Sequence, residues 1–297
     1  MSYRTVLVPV EQPENARSAI EAAFLVARRF AGHVHGLHVL PDLEPPATHS
    51  LVATRMTTRE ASGDYRKFMA TAGREVRRQA GELRRLFDEA AARAGAAALD
   101  APAATGGAPD RPSASWEEVA GFASELVGRL GRLFDLTVVA RPGPRGSSHD
   151  TVQAALFDTG RPMLLVPPEA PASVGEGTVL LAWNASPQAA RAVSAAMPFL
   201  RRAARVTVIS VGKESPPEPS AGQLARSLAW HGVAAEPRHI EQGDRRVRDI
   251  LLSEAEAAGA DLLIIGAYSH SRMRQIVLGG VTEHLLDRAG LPVLMTH

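Results

Sequence analysis

Residues Asp261–His297 (DLLIIGAYSHSRMRQIVLGGVTEHLLDRAGLPVLMTH) carry the most informative pattern in the chain. A short apolar run, Leu262–Ile265, stops at Gly266 and is followed by a polar, basic loop that ends at Gly279–Gly280. A helical pattern then leads to a second apolar strand, Pro292–Thr296. Many α/β proteins hold phosphate where a buried strand runs through a glycine-containing loop into a helix, because free N–H groups and the helix dipole favour an anion there.

Short apolar strands and helical segments alternate along the whole chain, in two passes. In the first pass we predict strands at Arg4–Val10, Val34–Leu40, within Ala96–Ser115, Leu136–Ala140 and Pro162–Val166. In the second pass we predict strands at Thr178–Trp183, Val206–Val211, Ala234–Ile240, Leu262–Ile265 and Pro292–Thr296. Such alternation predicts an α/β fold of two tandem doubly wound domains, residues 1–168 and 177–297, each a parallel sheet with helices on both faces. A ligand is expected beyond the carboxyl ends of the strands, where the strand order reverses.

Two helical segments of the first pass need separate comment. Residues Trp116–Leu130 have helical spacing and are predicted as one helix. The segment Arg55–Ala94 also has helical spacing, but one unbroken helix of that length would be about 60 Å long. We therefore expect a break near Gly73. The charges of this segment fit either a solvated face or a partner-binding surface.

The composition excludes several classes of function. The 297 residues include no cysteine, so disulfides, thiolate metal sites and cysteine nucleophiles are ruled out. The formal net charge is +1, which predicts no strong attraction to nucleic acid or membrane. Neither a signal peptide nor an apolar run near the roughly 20 residues of a membrane helix is visible. We therefore expect a cytoplasmic protein.

The quoted C-terminal stretch resembles the signature of universal stress proteins, whose nucleotide-binding members carry Gly-x2-Gly-x9-Gly-(Ser/Thr). Gly266 and Gly279 stand at the outer glycine positions. Ser269 stands at the second glycine and Gly280 at the hydroxyl position, while Thr282 keeps a hydroxyl near the helix start. The resemblance covers nearly the whole chain and identifies it as similar to tandem members of that family.

The resemblance also implies a topology and a mode of association. In that family each five-stranded parallel sheet has the strand order 3-2-1-4-5, and members often pair through their fifth strands. We therefore expect the two halves of this chain to pair through Pro162–Val166 and Pro292–Thr296. A homodimer is a further expectation.

The resemblance places a candidate site for ATP or another adenine nucleotide in the C-terminal half. Asn184 stands where nucleotide-binding members have an aspartate that contacts the nucleoside; the alternative is an Asx turn into the following helix. His270, Arg272 and Arg274 are either cations over a polyphosphate or solvated loop charges. The candidate nucleotide-binding residues are Ala182, Trp183, Asn184, Gly266, Ser269, His270, Arg272, Gly279, Gly280, Val281 and Thr282.

The N-terminal half lacks the corresponding pattern. Glu11 fills its aspartate position, and Ala140 and Gln153–Ala154 stand where small phosphate-facing residues are expected, so nucleotide binding is not predicted there. His33 and His35 share one strand face and His38 lies on the other, which favours strand histidines over a metal site. No metal cofactor is predicted.

The function implied by the resemblance is that of a non-catalytic stress-response module. Two alternatives stay open. A slow ATP hydrolase would need an acid or base near the loop, where only Glu283 and His284 are close in sequence. A ligand-free scaffold for protein interactions would explain the altered signature as a lost site.

Overall fold

Strands and helices alternate throughout the computed structural model, which describes residues 2–40, 59–101, 109–143, 146–212, 217, 219–267 and 280–297. The strands are β1 Thr5–Val10, β2 His33–Leu40, β3 Ala97–Ala98, β4 Ser113–Ala120, β5 Leu136–Ala140, β6 Met163–Val166, β7 Thr178–Ala182, β8 Arg205–Val211, β9 Ala235–Ile240, β10 Ala260–Gly266 and β11 Val293–Thr296. The α-helices are α1 Pro13–Phe30, α2 Arg59–Arg93, α3 Ala123–Leu130, α4 His149–Phe157, α5 Pro187–Leu200, α6 Ala221–Ala229, α7 Val247–Ala257 and α8 Gly280–Arg288. A short 3-10 helix, Gly131–Leu133, follows α3.

The strands form one sheet in the order β3-β4-β2-β1-β5-β6-β11-β10-β7-β8-β9. Each half therefore has its five main strands in the order 3-2-1-4-5, and the predicted α/β fold class is confirmed. Neighbouring strands are parallel except at the centre, where β6 and β11 pair antiparallel with Leu165 opposite Val293 and Met163 opposite Met295. Because these fifth strands pair within the chain, a homodimer would have to use another surface.

The core lies in two layers, one on each face of the sheet. One layer packs α1, α2, α5 and α6 against the sheet, and the other packs α3, α4, α7 and α8 against the opposite face. The central strands are accordingly apolar on both sides; Met163–Val166 and Val293–Thr296 are buried at every position. This is the pattern that parallel sheets covered on both faces require.

The third strand of the N-terminal half was misplaced by the sequence prediction. Trp116–Leu130 is not one helix: Ser113–Ala120 forms β4, and α3 begins only at Ala123. The edge strand predicted within Ala96–Ser115 is limited to β3, two residues long, and the start of β4. Trp116 lies over Gly36 of β2, where a Cβ atom would come within 2.5 Å of the indole. Packing across the sheet thus outweighs the helical spacing of this segment.

The expected break in the long helix near Gly73 is also wrong. Helix α2 runs without interruption for 35 residues, or about 52 Å. Its carboxyl-terminal part buries Leu83 and Phe87 in the core. Arg78 bonds Glu75 and Glu82 along the exposed face at 2.7 and 3.0 Å. Exposed pairs of this kind are screened by solvent and contribute little to stability, so the buried face is the main support of the helix.

Aromatic side chains join the two halves near the start of the chain. Tyr3 and Phe30 of the first half pack against Phe199 of α5, with ring centroids 5.1 and 5.3 Å from that of Phe199 and 5.7 Å from each other. The Tyr3 hydroxyl donates a hydrogen bond to the carbonyl of Ala195, also in α5, at 2.6 Å. Since Phe199 is fully buried, this cluster is part of the continuous core rather than a surface contact.

We expect Phe199→Ala to destabilise the protein by about 3–5 kcal/mol, because it removes a buried ring and leaves a cavity between the halves. Trp230→Ala is the matched control, since Trp230 is 90% exposed and its removal should cost no more than about 0.5 kcal/mol. Urea denaturation of both variants measures the difference. Equal losses of stability would contradict the assignment of Phe199 to a shared core.

Candidate functional site

The strand order reverses between β7 and β10, and the candidate site lies at the carboxyl ends of these two neighbours. From β7 the chain moves outward to β8 and β9, then returns on the other side of β7 to form β10. The ends of the two strands, Ala182 and Gly266, therefore border one crevice. Helix α8, which begins at Gly280, follows β10 along the chain. In open α/β sheets ligands bind at this kind of position.

Asn184 forms the Asx turn that the sequence analysis gave as one alternative. Its Oδ1 accepts hydrogen bonds from the backbone N of Ser186 at 3.2 Å and from the Ser186 hydroxyl at 2.7 Å. Ser186 in turn caps α5 by accepting a hydrogen bond from the N–H of Ala189 at 3.1 Å. The Asn184 side chain is exposed, so it lies at the rim of the crevice while it holds the turn.

Trp183 belongs to the framework of the site. Its backbone N–H extends the pairing of β7 with β8 by bonding Ile209 O at 2.8 Å. Its indole N–H donates to the carbonyl of Pro219 at 2.7 Å, just before α6. The ring also packs against the core. These contacts tie Pro219, two residues before α6, to the end of β7.

Gly266 has a packing role that the signature alone does not reveal. A Cβ atom at this position would lie 2.4 Å from the backbone N of Ala189 and 2.5 Å from the carbonyl carbon of Gln188. Both atoms belong to the first turn of α5, so they cannot move aside as a flexible side chain could. Glycine is required here because the end of β10 presses directly against that helix.

Gly280, the first described residue of α8, is exposed. Among the residues that the structure describes, a Cβ atom at this position would meet only the Nη1 atom of Arg248, at 3.8 Å. Val281 is half-buried, and Thr282 is 3% exposed, so the Thr282 hydroxyl is less accessible to a ligand than the position of Gly280. The remaining predicted residues, Ser269, His270, Arg272 and Gly279, lie outside the described residues.

Arg248, on α7, is a residue that the sequence analysis missed. Its Nη1 atom lies 3.5 Å from the carbonyl oxygen of Gly280, and its Nε atom is buried with no hydrogen-bond partner among the described residues. Asp249 forms an ion pair with this Nε at 3.7 Å. The guanidinium group thus stands beside the first residue of α8. The residues next to Arg248 in the sequence do not indicate this role, because α7 and α8 come together only in the folded structure.

His284, one of the two residues considered for a hydrolase, is held at the contact between α7 and α8. Its Nε2 atom lies 3.3 Å from Oδ1 of Asp249.

Within the described part of the chain no group of three or more histidine and acidic side chains could hold a metal ion. Among the same residues no helix is long and apolar enough to cross a membrane.

The equivalent position in the N-terminal half is filled by the protein itself. The Glu11 carboxylate, after β1, accepts hydrogen bonds from the backbone N–H of Ser148 at 3.2 and 3.3 Å. Ser148 is the residue that caps α4, and its hydroxyl accepts from the N–H of Thr151 at 3.1 Å. A carboxylate at the start of a helix is stabilised by the free N–H groups and the dipole, as a bound anion would be.

The sequence comparison of the two halves was wrong in one detail. Gln153 and Ala154 lie inside α4, not at its start, so they do not correspond to Gly279–Gly280. The residues at the start of α4 are Ser148 and His149. The error arose because α4 already begins at His149, shortly after β5 ends at Ala140, so the spacing taken from the C-terminal signature reached into the helix.

The comparisons with known proteins agree with this fold. The sequence matches the family model described as the universal stress protein family over residues 2–104 and 177–297. A comparison with curated proteins gives no match. The structure is similar to a universal stress protein from Archaeoglobus fulgidus DSM 4304, with a TM-score of 0.66 and 15% identity, covering 100% of this chain and 99% of that one.

Two further solved structures are similar to different extents. A functionally unknown protein from Pseudomonas aeruginosa PAO1 covers 99% of this chain and 92% of its own, with a TM-score of 0.53 and 14% identity. A universal stress protein in complex with cAMP covers 57% of this chain and 100% of its own, with a TM-score of 0.34 and 14% identity, which is too low to bear on the ligand here. The Pseudomonas aeruginosa structure agrees with the fold of the full chain.

Because the family model matches well over half of the sequence, in two separate stretches, this chain belongs to the universal stress protein family as a tandem two-domain member.

Proposed function

We propose that this protein is a non-catalytic stress-response module that binds ATP or another adenine nucleotide in its C-terminal half. The observation that carries the proposal is the start of α8, where Gly280 is exposed and the Arg248 guanidinium lies beside it. The N-terminal N–H groups of a helix and an adjacent arginine both favour a polyphosphate. The family membership supports a ligand at this edge of the sheet.

In this proposal the nucleoside lies near the end of β7 and the phosphates lie near α8. The exposed side chain of Asn184 borders the nucleoside, and the turn that it makes with Ser186 keeps it there. An amide is neutral, so it can bond a ribose or base edge without adding negative charge near the phosphates. Arg248 supplies positive charge from α7, beside Gly280.

We further propose that only the C-terminal half binds nucleotide. The Glu11 carboxylate occupies the start of α4, so a phosphate there would have to displace it and would meet its negative charge. Asn184 stands at the matching position of the C-terminal half, where its neutral amide oxygen accepts from the N–H of Ser186 and brings no negative charge. In this proposal the two halves differ in nucleotide binding because one has a carboxylate at this position and the other has an amide.

We expect Gly280→Ser to strengthen ATP binding roughly ten- to a hundredfold, the equivalent of one added hydrogen bond to a charged group, about 1.5–3 kcal/mol. The described neighbours of Gly280 leave room for the new side chain. Gly290→Ser is the control, because Gly290 is also exposed with nothing near its Cβ position. Calorimetric titration measures both. An unchanged Kd in Gly280→Ser would show that no phosphate lies beside α8.

We expect Arg248→Gln to weaken ATP binding by about tenfold while adenosine binding changes little, because only the phosphates face the guanidinium. Arg245→Gln removes an exposed positive charge just before α7 and serves as the matched control. Titrations with ATP and with adenosine give the comparison. If Arg245→Gln is as harmful as Arg248→Gln, the effect is general charge attraction and the proposed contact is wrong.

We expect a titration of the wild-type chain with ATP to return one site, since Glu11 fills the other position. The bound ATP should be recovered intact after prolonged incubation, as chromatography of the released nucleotide can show. Two equivalent sites would contradict the role of Glu11. Steady release of ADP that His284→Gln abolishes would instead support the hydrolase alternative.

A further inference from the structure

Helix α8 is contacted at both of its ends by arginines from other elements. At its start, Nη1 of Arg248 in α7 lies 3.5 Å from the carbonyl oxygen of Gly280. At its end, Nη1 of Arg141 donates a hydrogen bond to the carbonyl oxygen of Ala289 at 3.2 Å. Arg141 directly follows β5, so the second arginine belongs to the N-terminal half. The helix beside the proposed nucleotide site is therefore held by both halves of the chain.

Ala289 is the residue at which α8 ends. Its backbone N–H bonds the carbonyl of Leu285 at 3.1 Å, and its side chain is buried. Carbonyl groups at the end of a helix have no partner within the helix, and they form the negative end of the helix dipole. The Arg141 guanidinium satisfies one of these carbonyls and places positive charge where the dipole favours it.

The antiparallel pair of β6 and β11 brings Arg141 to the end of α8. The backbone N–H of Arg141 donates to the carbonyl of Val166, the last residue of β6, at 2.7 Å. Strand β11 begins at Val293, opposite Leu165, so the segment just before β11 lies beside the carboxyl end of β6. That segment contains Ala289. The backbone of Arg141 is thus fixed in one half while its side chain bonds the other half.

The corresponding helix of the N-terminal half is supported from within its own half. Helix α4 ends at Asp158, whose backbone N–H bonds the carbonyl of Ala154 at 2.9 Å. Nε of Arg132 donates to the carbonyl of Asp158 at 3.1 Å, the same kind of bond that Arg141 makes to α8. Arg132 lies in the 3-10 helix before β5, in the same half as α4.

The C-terminal half has an alanine where the N-terminal half has Arg132. The Asp-Leu pairs at 135–136 and 261–262 align the two halves, and Arg132 then corresponds to Ala258. An alanine side chain cannot donate a hydrogen bond, so this position cannot support the end of α8. The guanidinium at the end of α8 comes from the other half instead.

We propose that Arg141 is a positioning residue for nucleotide binding: by holding the end of α8, the N-terminal half sets the orientation of the helix start beside which the phosphates bind. This inference rests on the function proposed above. It gives the half that binds no nucleotide in that proposal a part in the site of the other half.

Arg141 acts through the helix rather than by direct attraction to the phosphates. Helix α8 spans nine residues, or about 13 Å. That length exceeds the distance of roughly 8 Å over which charges interact strongly in water at physiological ionic strength. Between the two ends, Leu285 and Leu286 are buried in the core, so a change in the hold on Ala289 is passed along a packed helix to its start.

The test is calorimetric titration of the full chain and three variants with ATP and with adenosine. We expect Arg141→Gln to raise the Kd for ATP about fivefold, at the lower end of the usual coupling between separate sites, and to leave adenosine binding nearly unchanged. Arg132→Gln is the matched control, because it removes the same kind of bond from the end of α4. Arg288→Gln is the charge control, because it removes an exposed cation from the last turn of α8 and keeps Arg141. Both controls should bind ATP as wild type does.

Hydrogen exchange adds a measurement that needs no ligand. The amides of α8 should exchange faster in Arg141→Gln than in wild type or in Arg132→Gln. If Arg141→Gln does not fold, the wild type decides, because coupling between two sites is reciprocal. ATP should then slow exchange along α8 as far as the amide of Ala289, and an effect confined to the first turn would overturn the inference.

The outcomes separate this inference from the proposed function. ATP binding by Arg141→Gln that equals wild type, or that is weakened no more than in either control, would overturn the positioning role of Arg141 and leave the proposed function intact. A wild-type chain that binds no ATP would refute the proposed function and with it any role of Arg141 in nucleotide binding. The exchange rates of α8 would still show whether Arg141 holds the helix.

Discussion

The antiparallel contact between β6 and β11 is the constraint on which the rest of the structure depends. Each half has a fifth strand whose outer edge would otherwise expose unpaired N–H and C=O groups, and strands as apolar as Met163–Val166 and Val293–Thr296 cannot be left at a free edge without inviting aggregation. Pairing them within the chain satisfies both edges. It also makes one continuous sheet, across which the aromatic contact of Tyr3 and Phe30 with Phe199 can form.

Helix starts at the carboxyl edge of this sheet show how one physical preference leads to two outcomes. Both α4 and α8 present N–H groups that favour negative charge. In the N-terminal half Glu11 provides that charge from within the chain, at the end of β1. In the C-terminal half the matching residue is Asn184, which bonds Ser186, and the positive charge near the helix start comes from Arg248. The two halves thus share the preference of the helix start for negative charge but differ in the residues that lie beside it.

The glycines of the signature illustrate why a motif has to be examined in three dimensions. Gly266 would be required even without a ligand, since any Cβ atom would collide with the backbone of Gln188 and Ala189. Gly280 is the opposite case, because no described residue would block a Cβ atom there. The signature therefore combines one glycine that packing requires with one that packing against the described residues does not require.

The sequence by itself determined the α/β class, the strand order of each half through its family resemblance, and the positions of most strands and helices. It could do so because burial on both faces of a parallel sheet leaves continuous apolar runs, and helices leave three- and four-residue spacing. The Asx turn at Asn184 was also visible locally. The tertiary structure alone decided the assignment of β4, the uninterrupted course of α2, the partner of Glu11 and the role of Arg248. Each of these depends on contacts between segments far apart in the chain, such as the 137 residues that separate Glu11 from Ser148, and local sequence patterns contain no record of such contacts.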